Sequence, residues 1–188
     1  MKSKAIFLDR DGTINVEVNY LHEPEKFQFL PRVPEALKLL QNLQYKLIVI
    51  TNQAGIAKGI YSMKDMEKTN EYMIQQLKMV GVTLDRIYFC PHRTEDHCTC
   101  RKPLPGMIIQ AAKDLDLELA QSWTIGDKLS DIESGIRAKT KTILVKTGYG
   151  EEEIYNLQKM VESTEKKNQT PLFTAENLWE AAEIIQKS

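Results

Sequence analysis

Asp9 and Asp11 stand two residues apart, directly after the apolar run Ala5-Ile-Phe-Leu8 and directly before Gly12 and Thr13. Residues two apart on an extended segment share a side, so both carboxylates can face one pocket. Paired carboxylates bind a hard cation such as Mg²⁺ through oxygen. One can also be a nucleophile while the other works as general acid and base. An isolated Asp-x-Asp is more often a solvated turn. Here three more apolar runs end in chemistry: Thr51-Asn52-Gln53, Cys90-Pro91-His92 and Gly126-Asp127-Lys128. Carboxylates, a hydroxyl, thiols and an amine at four strand ends describe a reaction centre.

All three cysteines of the chain lie between Cys90 and Cys100. A disulfide framework would scatter them; crowding suggests metal ligation in a reducing compartment. Cys90-x-His92-x₅-Cys98-x-Cys100 is a closed Cys₃His set, the make-up of a structural tetrahedral Zn²⁺ site. Its arms are too short for a zinc finger. Three buried cysteines are the bland alternative, and His97 is a rival to His92 as ligand. The loop runs straight into Arg101-Lys102, so zinc there would pin the loop and deliver Lys102. With no open coordination position it would not be catalytic.

The elements that must position these residues follow from hydrophobic patterning. Lys4–Asp9, Lys46–Thr51, Arg86–Cys90, Ser122–Gly126 and Thr142–Lys146 are apolar on successive residues, as strands covered on both faces are. Between them lie helix candidates. Pro34–Leu43 carries Leu37, Leu40 and Leu43 on one face. Met63–Val80, capped by Ser62, carries Met66, Met73, Leu77 and Val80 near one stripe. Pro105–Leu115, Asp131–Ala138 and Ala175–Gln186 complete the set. This alternation predicts an α/β fold with a doubly wound, mostly parallel sheet, whose ligand sits outside the carboxyl ends of the strands. Between Thr13 and Thr51 there is no insertion large enough for a cap domain, and one helix with its connections fills 53–89. The site should be shallow, roofed by loops such as Glu17–Tyr20, Ala54–Gly59 and the zinc loop. Residues 151–170 are the most polar stretch and are expected to form a surface helix and loop.

The 188 residues suit a single domain, and an apolar fraction of 42% supports a sizeable core. A net charge of −1 argues against a protein-wide footprint for nucleic acid. No apolar run reaches the roughly 18 residues of a membrane span, and the N-terminus lacks a signal-peptide core. The expectation is a cytoplasmic monomer.

Asp9-Arg10-Asp11-Gly12-Thr13 resembles the first motif of the haloacid dehalogenase superfamily. Thr51-Asn52 resembles the second, Lys102 the third, and Gly126-Asp127-x-x-x-Asp131 the fourth. The longer matches 6–15, 51–57, 100–107 and 126–128 resemble the D-glycero-D-manno-heptose 1,7-bisphosphate 7-phosphatases. The related histidinol-phosphate phosphatases share much of the pattern. The resemblance spans residues 5 to about 150 and implies a Mg²⁺-dependent phosphatase that supplies precursors of ADP- or GDP-heptose for lipopolysaccharide. In it Asp9 attacks phosphorus, Asp11 protonates the leaving oxygen and then activates water, and Thr51 and Lys102 bind the phosphoryl group. Mg²⁺ is held by Asp9, the Asp11 backbone carbonyl, Asp127 and, through its backbone, Lys128. Structural Zn²⁺ falls to Cys90, His92, Cys98 and Cys100. Substrate contacts fall to Arg10, Glu17, Val18, Asn19, Tyr20, Asn52, Gln53, Ala54, Arg101 and Lys128. Asp131 either joins the metal network or caps the following helix. A sugar bisphosphate is the expected partner, histidinol phosphate the alternative substrate, and a non-catalytic zinc module the alternative of another class.

Overall fold

Four successive residues of β1 (Ala5–Leu8) are fully buried, which only a central strand with helices on both faces permits. The computed structural model, which describes residues 2–155 and 172–188, places β1 beside β2 (Lys46–Asn52) and β4 (Trp123–Gly126). β3 (Arg86–Cys90) lies outside β2, and β5 (Lys141–Val145) and β6 (Leu172–Ala175) lie beyond β4. The order is β3-β2-β1-β4-β5-β6, and every pairing is parallel. Strand order therefore reverses direction at β1 and β4, the position where open α/β sheets leave a crevice.

The helices are α1 (Val33–Asn42), α2 (Met63–Met79), α3 (Gly106–Leu115), α4 (Leu129–Ala138) and α5 (Leu178–Gln186). One core cluster joins Ile6, Leu8, Val49 and Ile125 to Leu37, Leu40, Met73, Leu77 and Ile185. A second, on the other sheet face, joins Phe7, Ile48 and Ile50 to Met107, Ile108 and Ala111. Ser62 caps α2 through its side chain, and Asp65 reciprocates, as a capping box does. Two expected stripe positions fall outside the core: Leu43 is only half buried, and Val80 is 54% exposed, because both follow the last helical residue.

The expected helix over Ala175–Gln186 begins only at Leu178. Leu172–Ala175 is drawn into the sheet by pairing with Thr142–Val145, and Asn177 caps the helix instead. Residues 150–155 are helical; the remainder of the expected surface helix and loop over 151–170 lies outside the described residues. Only a 3-10 turn and α1 separate β1 from β2, and only α2 separates β2 from β3, so no cap domain intervenes there. Among the described residues no helix is long and apolar enough to cross a membrane.

Candidate active site

Register brings the strand ends together. Leu8 pairs with both Val49 and Ile125, so Asp9, Thr51 and Asp127 emerge side by side from three neighbouring strands. Asp9 accepts on Oδ1 from the Arg10 amide (2.8 Å) and from the Lys102 ammonium (2.8 Å). Lys102 also reaches Asp131 Oδ1 (2.6 Å) and donates to the Ile50 carbonyl (2.9 Å). The backbone of Lys102 is clamped by Asn52, whose Nδ2 donates to its carbonyl and whose Oδ1 accepts from its N–H, both at 3.1 Å. Lys102 is thus carried by the loop after β3 yet fixed by the last residue of β2. Burial opposes charge on Lys102, but Asp131 and Asp9 outweigh it and raise its pKa.

Asp9, Asp127 and Asp131 offer carboxylate oxygens within 4.8 Å of one another, and all three are buried. Burial and the neighbouring Asp9 raise Asp127 to about 8, and burial raises Asp131 to about 6. Tyr149 N–H donates to Asp127 Oδ2 (3.0 Å), but Oδ1 is buried with no donor. Among the described residues Lys102 is the one ammonium paired within the trio, so full ionisation leaves two negative charges over. A buried carboxylate oxygen without a donor and that residual charge fit a divalent hard cation held by oxygen. Gly12 and Gly148 shape this cradle. Both have positive φ (85° and 59°), and a Cβ on either would lie 2.2 Å from Asp127 Oδ2. Asp131 also accepts on Oδ2 from the Lys128 N–H (3.0 Å), so it caps α4 and joins the carboxylate cluster at once.

The Asp11 carboxylate lies outside that trio. It accepts from the Arg10 guanidinium on both oxygens (2.9–3.2 Å), from Asn15 Nδ2 (3.0 Å) and from Gln53 Nε2 (3.1 Å). The Arg10 side chain turns inward. Only 1% exposed, it spends its remaining donors on Asn70 Oδ1 and the Leu21 carbonyl. Its side chain braces Asp11 from inside and does not line the cavity.

The cavity measures about 670 Å³. On its wall stand Asp9, Asp11, Thr51, Gln53, Lys102 and Asp131, with Asn52 and Ala54 beside them. Glu17, Val18, Asn19 and Tyr20 form one side of the mouth, and Arg101, His97 and Cys98 another. Two lysines tie the 17–20 segment across the opening. Lys58 Nζ donates to Tyr20 Oη (2.8 Å), and Lys128 Nζ pairs with Glu17 (3.1 Å) while lying 4.6 Å from the centre of the Tyr149 ring. Desolvation disfavours charge on Lys128, but Asp127, Asp9 and Glu17 hold it protonated.

Cys90, His92, Cys98 and Cys100 converge, with S···S separations of 3.5 Å and S···Nδ1 separations of 3.4 and 3.6 Å. Zinc bonds of about 2.0–2.3 Å set tetrahedron edges of roughly 3.5–3.8 Å, and these four of the six ligand–ligand separations lie near that length. His97 lies on the cavity wall and His92 takes the ligand position. Arg101 Nη1 donates to the His92 carbonyl (3.1 Å), tying the cluster to the cavity rim. Sequence reasoning missed Asn15, Tyr61, Asn70, Gly148 and Tyr149. Only the segment Gly148-Tyr149-Gly150 carried a signal, a glycine-rich turn directly after an apolar run.

Comparison with known proteins agrees with this geometry. The HAD-hydrolase-like family model matches residues 99–181. The D-glycero-beta-D-manno-heptose-1,7-bisphosphate 7-phosphatase of Helicobacter pylori is 48% identical over 144 residues, covering 76% of this chain and 83% of the relative. That of Pasteurella multocida is 47% identical over 152 residues, covering 77% and 83%. The crystal structure of D,D-heptose 1,7-bisphosphate phosphatase from B. bronchiseptica, complexed with magnesium and phosphate, superposes with a TM-score of 0.85 at 30% identity. It covers 98% of this chain and 99% of that one. With relatives this similar over three quarters of its length, the chain belongs to the D-glycero-beta-D-manno-heptose-1,7-bisphosphate 7-phosphatase family of HAD-like hydrolases.

Proposed function

We propose that this chain, acting as a single phosphatase domain, hydrolyses the C7 phosphate of D-glycero-β-D-manno-heptose 1,7-bisphosphate. The observation that carries the reading is Asp9 at the end of β1, with Lys102 on one of its oxygens and Thr51 and Asp127 alongside. Both donors to Asp9 fall on Oδ1, so Oδ2 holds the lone pairs for attack on phosphorus. The phosphorus–oxygen bond to C7 breaks as Asp9 becomes phosphorylated, and Asp11 gives its proton to the departing oxygen. Asp11 then takes a proton from the water that attacks the aspartyl-phosphate, releasing inorganic phosphate and restoring Asp9. The Thr51 hydroxyl donates to the phosphoryl group. Lys102, its protons taken by Ile50, Asp9 and Asp131, acts as a fixed positive charge beside it.

Mg²⁺ would be held by Asp9, Asp127, the Asp11 backbone carbonyl and the Lys128 backbone, with Asp131 completing the buried carboxylate set. When bound it supplies positive charge to the transferring phosphoryl oxygens. Zn²⁺ at Cys90, His92, Cys98 and Cys100 would be structural. Arg101, Lys58 and Lys128 at the mouth suit the second phosphate, arginine because its planar donors bind phosphate oxygens in pairs. The β anomer and the heptose itself rest on the names of the relatives, which also favour this substrate over histidinol phosphate.

Phosphate release with both heptose bisphosphate anomers and with histidinol phosphate, with and without Mg²⁺, tests the reading. The β anomer should turn over fastest, Asp9→Asn should fall to background, and Asp11→Asn should lose about 10²- to 10⁴-fold. Substantial activity in folded Asp9→Asn protein overturns the mechanism. Faster turnover of histidinol phosphate overturns the substrate alone.

A further inference from the structure

The side-chain amide of Gln53 sits at a junction where its polarity has no freedom. Oε1 accepts from the Tyr61 hydroxyl (2.6 Å), with Arg10 Nη2 at 3.4 Å. Nε2 donates to Asp11 Oδ2 (3.1 Å) and to Thr51 Oγ1 (2.8 Å). A guanidinium only donates and a carboxylate only accepts, so a reversed amide would set its oxygen against Asp11 and its N–H groups against Arg10. Tyr61, the donor to that oxygen, is itself held in place. Its ring is 7% exposed and stacks on His22, with centroids 5.1 Å apart and planes 10° apart. On its edge lies Gly55, where a Cβ would come within 2.1 Å of the ring. Burial pushes the Tyr61 hydroxyl up to about 12, which keeps it a donor. All of the Gln53 amide is therefore committed inside the protein, although the residue borders the cavity.

We propose that Gln53, fixed by Tyr61, is a positioning residue that couples the acid–base Asp11 to the phosphoryl-binding Thr51, and that its amide is not a substrate ligand. The proposal rests on the phosphatase reading above. Thr51 Oγ1, already accepting from Gln53, keeps its own proton for a phosphoryl oxygen. Asp11, accepting from the other N–H, is held where its proton can meet the leaving oxygen. These two services weigh differently by substrate. A sugar alkoxide departs poorly unless protonated, whereas nitrophenolate departs without an acid.

The test compares wild type and Gln53→Met on a primary sugar phosphate and on p-nitrophenyl phosphate, with Mg²⁺ present. Because hydrolysis of the aspartyl-phosphate is common to both esters, the readout is kcat/KM, which reports only the steps up to departure of the leaving group: it should fall about tenfold or more on the sugar phosphate and no more than about threefold on the aryl ester. Equal losses on both substrates or no loss would overturn the proposal. Should Gln53→Met fail to fold, Tyr61→Phe decides, because it keeps the ring between His22 and Gly55 and removes only the hydroxyl. It should shift the ratio of the two activities in the same direction by about threefold, and an unchanged ratio overturns the proposal. A folded wild type that releases phosphate from neither ester sinks the phosphatase reading itself and this inference with it.

Discussion

Asp127 is fully buried, and that burial, reinforced by Asp9, raises its pKa to about 8. The sign of the resulting pH dependence follows from linkage. Between its unfolded value near 3.8 and its folded value of about 8, the native state binds more protons than the unfolded one, so this group makes stability fall as pH rises. Metal-free protein should therefore lose melting temperature across that window, and the loss should be complete above about pH 8. A cation bound to the ionised trio reverses the trend. Mg²⁺ at a hundredfold excess over its Kd should add about 2.7 kcal/mol, roughly 5–10 °C in a chain of this size, with the largest rise at the alkaline end. Asp127→Asn should abolish the Mg²⁺-dependent rise. Melting curves at both ends of the window, with Mg²⁺ and with chelator, measure each part.

The segment from the end of β3 to Lys102 has two anchors of different kinds, and they should fail differently. The Cys₃His cluster holds the segment at Cys90, His92, Cys98 and Cys100, while Asn52 holds the backbone of Lys102 by two hydrogen bonds. Losing zinc should free Arg101, whose guanidinium leans on the His92 carbonyl, more than Lys102. Elemental analysis should find about one zinc per chain, and Cys100→Ser should lower that content. Its KM for the bisphosphate should rise about tenfold, the worth of one charge-assisted contact, while kcat on p-nitrophenyl phosphate changes much less. Equal damage to both substrates would show that Lys102 had moved as well. The placement of this loop was legible because all four ligands sit within eleven consecutive residues. β6 was not legible: Leu-Phe-Thr-Ala reads as strand or helix, and only its pairing with β5, about thirty residues earlier, decides between them.

Across the whole molecule, Asp9, Thr51, Asp127 and Lys102 could be read from sequence because three of them end apolar strands and the fourth ends a metal loop. Arg10 could not, since its inward turn depends on Asn70, which lies sixty residues further along on α2. The roles of Gln53 and Asp127 likewise depend on Tyr61, Gly148 and Tyr149, which the fold brings in from elsewhere. That dependence has a consequence for how activity is lost. The site draws on β2, β1 and β4 and on the loop that leaves β3, four adjacent strands that the chain lays down in four separate visits to the sheet. No two of them make a reaction centre, so a form that has lost any of the four loses turnover. Catalysis should then behave as a reporter of global cooperativity. In a denaturant titration of a Trp179→Phe variant, which leaves Trp123 as the single tryptophan, phosphate release should vanish at the same midpoint as the fluorescence of Trp123, which is 1% exposed on β4. A site that failed well before Trp123 became exposed would instead mark the strand ends as a separate, weaker unit of folding.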